Sequence, residues 1–363
     1  MNKLPVHPEN FSTNFISEKL GFLSNSLNDF SYKPIGSGQV GDSYRLSLNW
    51  KNNEGPDTII AKCSAKDLTS RQTAKNMNLY EIEAYWYKEH GNKIPIRCPE
   101  AYFIGLDKED IGNFIMLMED LSPARQISQM DGCNVNDVRL ALDEVALLHK
   151  SYWNDINLSK IKCLNYGTDR KKFIKQFLIE IYPEWCARYK ERIDKSILEM
   201  GKSLIERYDS YLAIKTEPIV LSHGDFRLDN MLFYDSNGRV VILDWQTLSA
   251  GVPMADIAYC ISTSFSSSQD RQIHEESLIG RYLKKLNLEE GVYPYELAWR
   301  DYRRCSFIGF LMGVISSMLV ERTERGDEMF AAMVERSGYQ AIQLESLSLI
   351  SVSYTHLTLP TKA

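Results

Sequence analysis

Between Asp42 and Trp50 the side chains alternate: Tyr44, Leu46, Leu48 and Trp50 fall on one face and Ser43, Arg45, Ser47 and Asn49 on the other. That period of two predicts a half-buried strand. A second strand-like stretch precedes it at 30–36, a third is expected at Thr58–Cys63 after the turn Asn52–Pro56, and two more at 101–106 and 113–118. Helical spacing predicts a helix over 11–29 and another over about 68–90, where Leu79, Ile82, Tyr85 and Trp86 recur at helical intervals. After Glu119 the rhythm turns helical, with helices expected at 134–153, 169–213, 254–264, 271–286, 294–323 and 326–345. The exception is a hairpin at 231–244, whose strands MLFY and VVILD flank the turn Asp235–Gly238. The chain therefore reads as α+β, with a strand-rich first third and a helix-rich remainder.

The formal charge of −6 is spread without long single-sign runs, which argues against nucleic acid or an anionic membrane as main partner. Seven cysteines are scattered with no CxxC pair, so they read as reduced thiols, and a cytoplasmic location is expected. The first thirty residues lack the basic and apolar regions of a signal peptide. The uncharged run Cys305–Val320 is shorter than the roughly 20 residues a membrane span needs. Its Gly309 and Gly313 are read as close-packing positions in a buried helix, so no membrane insertion is expected. Residues 351–363 (SVSYTHLTLPTKA) resemble read-through translation of a sequencing adaptor and are set aside from fold reasoning.

Ile35-Gly36-Ser37-Gly38-Gln39-Val40-Gly41 matches GxGxxG. In a dinucleotide-binding fold a helix must follow such a loop. Here a strand follows, which is the arrangement of a phosphate-covering hairpin, in which glycines let backbone amides approach phosphate oxygens. Lys62 closes the strand Thr58–Lys62 and is either a surface residue or a point charge for nucleotide phosphates. In the second role it needs an acidic partner, and the next helix offers Glu81 and Glu83.

The most loaded segment is His223-Gly224-Asp225-Phe226-Arg227-Leu228-Asp229-Asn230, followed by the hairpin and then Val240-Val241-Ile242-Leu243-Asp244-Trp245-Gln246. These residues supply what phosphoryl transfer requires. Asp225 can accept or orient a hydroxyl proton, while the amide oxygen of Asn230 and the carboxylate of Asp244 are hard ligands suited to Mg²⁺. The hairpin between them can fold both onto one spot.

HGDFRLDN with VILDWQ resembles the aminoglycoside phosphotransferase and choline-kinase-like group, which shares the protein-kinase fold. Met118-Glu119-Asp120-Leu121-Ser122, Ala146-Leu147-Leu148-His149 and Asp256-Ile257-Ala258-Tyr259 fit the same group, and MEDLS with LDWQ is most similar to its ecdysteroid-kinase-like branch. The resemblance covers about 30–330. It implies a two-lobed fold, with a nucleotide-binding lobe at 1–118 and a helical catalytic and substrate lobe at 119–350. It also implies ATP and Mg²⁺ as cofactors and a small-molecule hydroxyl substrate. Asp225 would be the catalytic base, Asn230 and Asp244 the Mg²⁺ ligands, and Lys62 the holder of the α- and β-phosphates, paired with Glu83. Gly36, Gly38 and Gly41 would cover the phosphates, and the hinge at 117–121, with Glu119 and Leu121, would meet adenine. Arg227 stands where protein kinases often carry a lysine and would steady the γ-phosphate. His223 and Asp256 are expected to buttress the catalytic loop, and His149 to pack.

Two further readings differ in class. A pseudokinase acting as a regulatory module would typically lose Asp225, Asn230 or Asp244, and all three are present. A protein kinase would carry Phe-Gly after the metal aspartate and a later Ala-Pro-Glu, whereas Trp245-Gln246 stands here.

Overall fold

The structure, a computed structural model, describes residues 4–36, 40–164, 168–213, 217–234 and 238–350. Gly38, most of the turn Asp235–Gly238 and the set-aside segment 351–363 therefore lie outside the described residues. The N-terminal region opens with α1 (Thr13–Lys19), followed by β1 (Leu27–Ile35), β2 (Gly41–Trp50) and β3 (Thr58–Ser64). Two helices, α2 (Leu68–Asn76) and α3 (Leu79–Glu89), precede β4 (Ala101–Leu106) and β5 (Phe114–Glu119). The strands form one antiparallel sheet in the order β1-β2-β3-β5-β4.

The alternation read from the sequence sorts this sheet into two faces. Tyr44, Leu46, Leu48 and Trp50 of β2 are buried with Ile59, Ala61 and Cys63 of β3 and with Ile16 of α1. Ser43 and Lys62, directly paired across β2 and β3, share the opposite face and turn toward the second lobe. The expected helix 11–29 is shorter than its apolar rhythm suggested. It stops before Gly21, whose φ of +83° suits glycine, and Leu23 of the same rhythm is largely exposed. The helix expected over 68–90 is broken at Asn78, held in the left-handed region at φ +56°.

The remainder is mostly helical. It runs through β6 (Arg125–Gln126), α4 (Val135–Ser151), α5 (Thr168–Tyr189), α6 (Lys195–Glu206) and α7 (Tyr208–Ala213). Then come β7 (Val220–Ser222), β8 (Met231–Tyr234), β9 (Arg239–Ile242) and β10 (Ser249–Gly251). The last helices are α8 (Pro253–Ser264), α9 (Ser268–Leu286), α10 (Tyr295–Cys305), α11 (Phe307–Leu319) and α12 (Glu324–Gln343). The single helix expected at 169–213 is three, because Asp194 caps a new helix by accepting the Ser196 amide, and that expected at 294–323 is two, divided at Ser306.

One core joins α4, α8, α9 and α10 to the β8–β9 hairpin, and a second fills the space between α5, α6, α11 and α12. The apolar run Cys305–Val320 lies mostly in α11, where the glycines work as close-packing positions. A Cβ at Gly309 would stand 2.2 Å from Ser337 Oγ, and one at Gly313 2.6 Å from Val334 Cγ2, both on α12. Among the described residues no helix is long and apolar enough to cross a membrane. All seven cysteines are free thiols.

Candidate active site

A cleft of about 420 Å³ lies between the sheet and the helical lobe. Gly36, Gly41 and Lys62 line it from above, Glu119 and Leu121 at the back, and Asn230 and Asp244 from below. Chain segments far apart in sequence converge there because one face of β2 and β3, the Glu83 and Tyr87 side of α3 and the two ends of the β8–β9 hairpin all border it.

The hairpin brings Asn230 and Asp244 together. Met231 pairs with Ile242, and the Leu243 amide donates to the Asn230 carbonyl at 2.9 Å, so the two residues flank the ladder's end. Asp244 itself is left-handed (φ +61°), a conformation unusual outside glycine and asparagine, which re-aims its side chain at the cleft. Its Oδ1 accepts from Lys62 Nζ at 2.8 Å, and Lys62 also donates to Glu83 Oε1 at 2.7 Å. Of the two glutamates α3 offered, the structure therefore brings Glu83 to Lys62. Burial works against the Lys62 charge, but Asp244 and Glu83 together outweigh it and lift its pKa above that of an ordinary lysine. Glu83 is buried, and that burial raises its pKa against the pull of Lys62.

Asp225 is held from three sides. Its Oδ1 accepts from the Tyr259 hydroxyl at 2.9 Å and from Arg227 Nε at 3.1 Å, and its Oδ2 accepts from Asn230 Nδ2 at 2.8 Å. Arg227 also donates Nη1 to Asp229 Oδ2 at 2.7 Å, so its guanidinium is clamped between two carboxylates. Burial opposes the Arg227 charge, and Asp225, Tyr259 and Asp229 more than offset it. The contact of Tyr259 with Asp225 is a site feature the sequence reading missed. Asp256 and Tyr259 stand one turn apart on α8, a spacing that puts both on one face, and that face meets the catalytic loop.

Asp256 supports the loop from beneath. Its Oδ2 accepts from the His223 amide at 2.8 Å and from His149 Nε2 at 3.1 Å, and its Oδ1 from the Gly224 amide at 2.9 Å. Burial would raise the Asp256 pKa, yet these donors bring it below the usual carboxylate value. His223 Nε2 donates to the Leu243 carbonyl at 2.9 Å and Nδ1 accepts the Asp225 amide at 3.3 Å, so both nitrogens are occupied in tying the loop to the β9 end. The glycine between them is obligatory: at φ +81°, a Gly224 Cβ would stand 2.4 Å from the Thr247 carbonyl oxygen.

At the hinge, the Glu119 side chain turns to Arg97, with both oxygens 2.7 Å from Nη2, and its amide donates to the Glu100 carbonyl at 2.9 Å. The Leu121 carbonyl accepts from the Tyr234 hydroxyl at 2.8 Å, and Asp120 pairs with Arg45 Nε at 2.7 Å. Ile35 and Ile60 above and Leu232 and Leu243 below make apolar walls beside this strip, the shape and chemistry of a slot for a flat ring. Of the glycines, Gly36 has φ +69°, and Gly41 opens β2 where a Cβ would stand 3.1 Å from the Cys63 carbonyl oxygen.

The fold and this site define a kinase-like protein. Residues 40–291 match the ecdysteroid kinase-like family, and the chain belongs to it. Solved structures with the same fold include an ethanolamine kinase from Plasmodium vivax, at TM-score 0.53 and 13% identity, covering 89% of this chain and 84% of that one. A choline kinase from Cryptosporidium parvum gives TM-score 0.52 and 13% identity, covering 90% and 93%. The gentamicin complex of APH(2'')-IIa gives TM-score 0.51 and 17% identity, covering 94% and 99%. At these identities the likeness is one of fold. Among curated proteins, acyl-CoA dehydrogenase family member 10 of Mus musculus is 28% identical over 165 residues, which are 42% of this chain and 15% of that protein. The chain thus spans a small part of that relative's length.

Proposed function

We propose that this protein transfers the γ-phosphoryl group of ATP to a hydroxyl of a small molecule, with Mg²⁺. The observation that supports it best is the convergence of Lys62, Glu83, Asn230 and Asp244 on one cleft beside an apolar slot, with Asp225 held against it by Asn230. The donor set suits magnesium, since Asn230 and Asp244 offer hard oxygens and leave the remaining positions to phosphate and water. Magnesium bound there would neutralise charge on the phosphate oxygens. Lys62, already held by Glu83, would meet the α- and β-phosphates when Asp244 turns to the metal. Asp225 would orient the acceptor hydroxyl and take its proton as the oxygen bonds to the γ-phosphorus. The bond to the β–γ bridging oxygen breaks, and ADP leaves with its electron pair. Arg227, fixed between Asp225 and Asp229, keeps the base in place.

The test is Mg²⁺-dependent ATP turnover against pooled sterols, amino-alcohols, aminoglycosides and sugars, with Asp225→Asn alongside. Transfer to one pool, reduced about a thousandfold or more in the variant, is the expected outcome. A folded protein that binds no Mg–ATP would overturn the reading. Binding without transfer to any pool would favour the regulatory alternative.

A further inference from the structure

Among the described residues, the charged groups of the cleft are paired with one exception. Lys62 is matched by Glu83 and Asp244, Arg227 by Asp225 and Asp229, and Arg45 by Asp120. Arg325, in the first turn of α12, lines the same cleft as Lys62, Asp244, Gly36 and Gly41, and among the described residues no carboxylate stands within ion-pair distance of it. The neighbouring acids Glu324 and Glu328 do not line the cleft. One helical turn beyond Arg325, Met329 also faces it and touches Arg227 Nη1 through its sulfur at 3.7 Å. Arg325 therefore sits at the catalytic end of the cleft, away from the hinge.

The segment carrying Arg325 is anchored to both lobes. The Thr73 hydroxyl of α2 donates to the Leu319 carbonyl at 3.1 Å, and Val320 packs on the cluster of Val40, Leu79 and Tyr80 as well as on that of Tyr259, Met329 and Phe330. Asp327, two residues on, accepts from Tyr189 at 2.7 Å and from Arg322 at 2.9 Å, and pairs with Arg188. A long, exposed side chain thus projects from a fixed base.

We infer that Arg325 is a further catalytic residue, an arginine supplied from within the chain that meets the γ-phosphoryl group during transfer. The inference rests on the kinase reading above. As the acceptor oxygen bonds to phosphorus and the bridging bond breaks, charge spreads over the three peripheral oxygens of the group in flight. Arg227 has spent its charge on two carboxylates, and Lys62 answers to Glu83. Arg325 is the cation in the cleft with its full charge and its forked donors left for those oxygens.

The experiment needs no acceptor. Arg325→Ala and Arg325→Lys, each checked for an unchanged thermal midpoint, are compared with the unaltered protein in three measurements. These are the affinity for Mg–ADP, the affinity for Mg–ADP with aluminium fluoride as a planar mimic of the transferred group, and acceptor-free ATP hydrolysis. Arg325→Ala should keep Mg–ADP affinity within about twofold but lose about tenfold or more for the fluoride complex and in hydrolytic kcat. KM for ATP should stay level, Arg325→Lys should recover part of the loss, and added guanidinium should restore hydrolysis in Arg325→Ala. Equal losses for Mg–ADP and the fluoride complex, or no loss in either, overturn this inference alone. An unaltered protein that binds no Mg–ADP overturns the kinase reading and this inference with it.

Discussion

At the scale of the residue, Lys62 stabilises two carboxylates that, among the described residues, have no other cation. Glu83 is 1% exposed and lies beside Asp244, so their charges depend on Nζ. Breaking such a buried pair from one side leaves an uncompensated charge and costs about 3–5 kcal/mol. Lys62→Met is therefore expected to lower stability by that order in denaturant titration, and Lys62→Met combined with Glu83→Gln to recover part of it. A single variant as stable as the parent would mean that solvent already compensates Glu83. Asp225, Asn230 and Asp244 could be singled out in the sequence because they share one motif-and-hairpin pattern whose chemistry has few other uses, whereas Lys62 alone also suited a surface position and only the resemblance chose Glu83 over Glu81. Tyr259 and Arg325 could not. Their neighbours in space, Asp225 for one and the paired cations of the cleft for the other, lie in distant segments, and no spacing along the chain records the meeting.

At the scale of the element, α12 is fastened by its own carboxylate. Burial alone would raise the Asp327 pKa, but Tyr189, Arg322 and Arg188 outweigh it and hold the group below an ordinary aspartate. A depressed folded-state pKa contributes stability that is fully present above the unfolded value, about 3.9, and is lost as pH falls through the folded one. The thermal midpoints of the parent and Asp327→Asn should thus differ by a constant amount above about pH 5 and converge below about pH 4. A gap independent of pH would show that packing, not charge, fixes the helix. Element type was legible wherever periodicity ran long, as in β2 and α4, whose expected and observed limits nearly coincide. Breaks were not, because Asn78 and Ser306 interrupt apolar rhythms that continue unbroken on either side. The three-residue strands β7 and β10 are too short to carry any period, and pair only because the catalytic loop brings them together.

At the scale of the whole molecule, the two lobes communicate through aromatic stacking as well as through the hinge. Trp86 of α3 lies face to face on Trp245, ring centres 3.6 Å apart and planes 8° from parallel. Trp86 follows Glu83 on one helix, and Trp245 follows Asp244 in the chain, so the stack holds the partners of Lys62 in register from behind. His223 meets the edge of Trp245 at 4.8 Å, which joins the catalytic loop to the same cluster. The order of motifs sufficed to anticipate two lobes, yet nothing along the chain paired these two tryptophans. The coupling can be measured with a double-mutant cycle of Trp86→Leu and Trp245→Leu, scored by unfolding free energy and by Mg–ATP affinity. Each single variant should lose about 2–4 kcal/mol of stability through lost packing, and the cycle should return a coupling of about 1 kcal/mol for the stacked pair. Nucleotide affinity should fall in both single variants and little further in the double, since either change frees Glu83 and Asp244 to drift apart. Strict additivity in both quantities would reduce the stack to buried area and leave the coupling to other links such as the hinge, the Lys62–Asp244 pair and the α2–α11 contact.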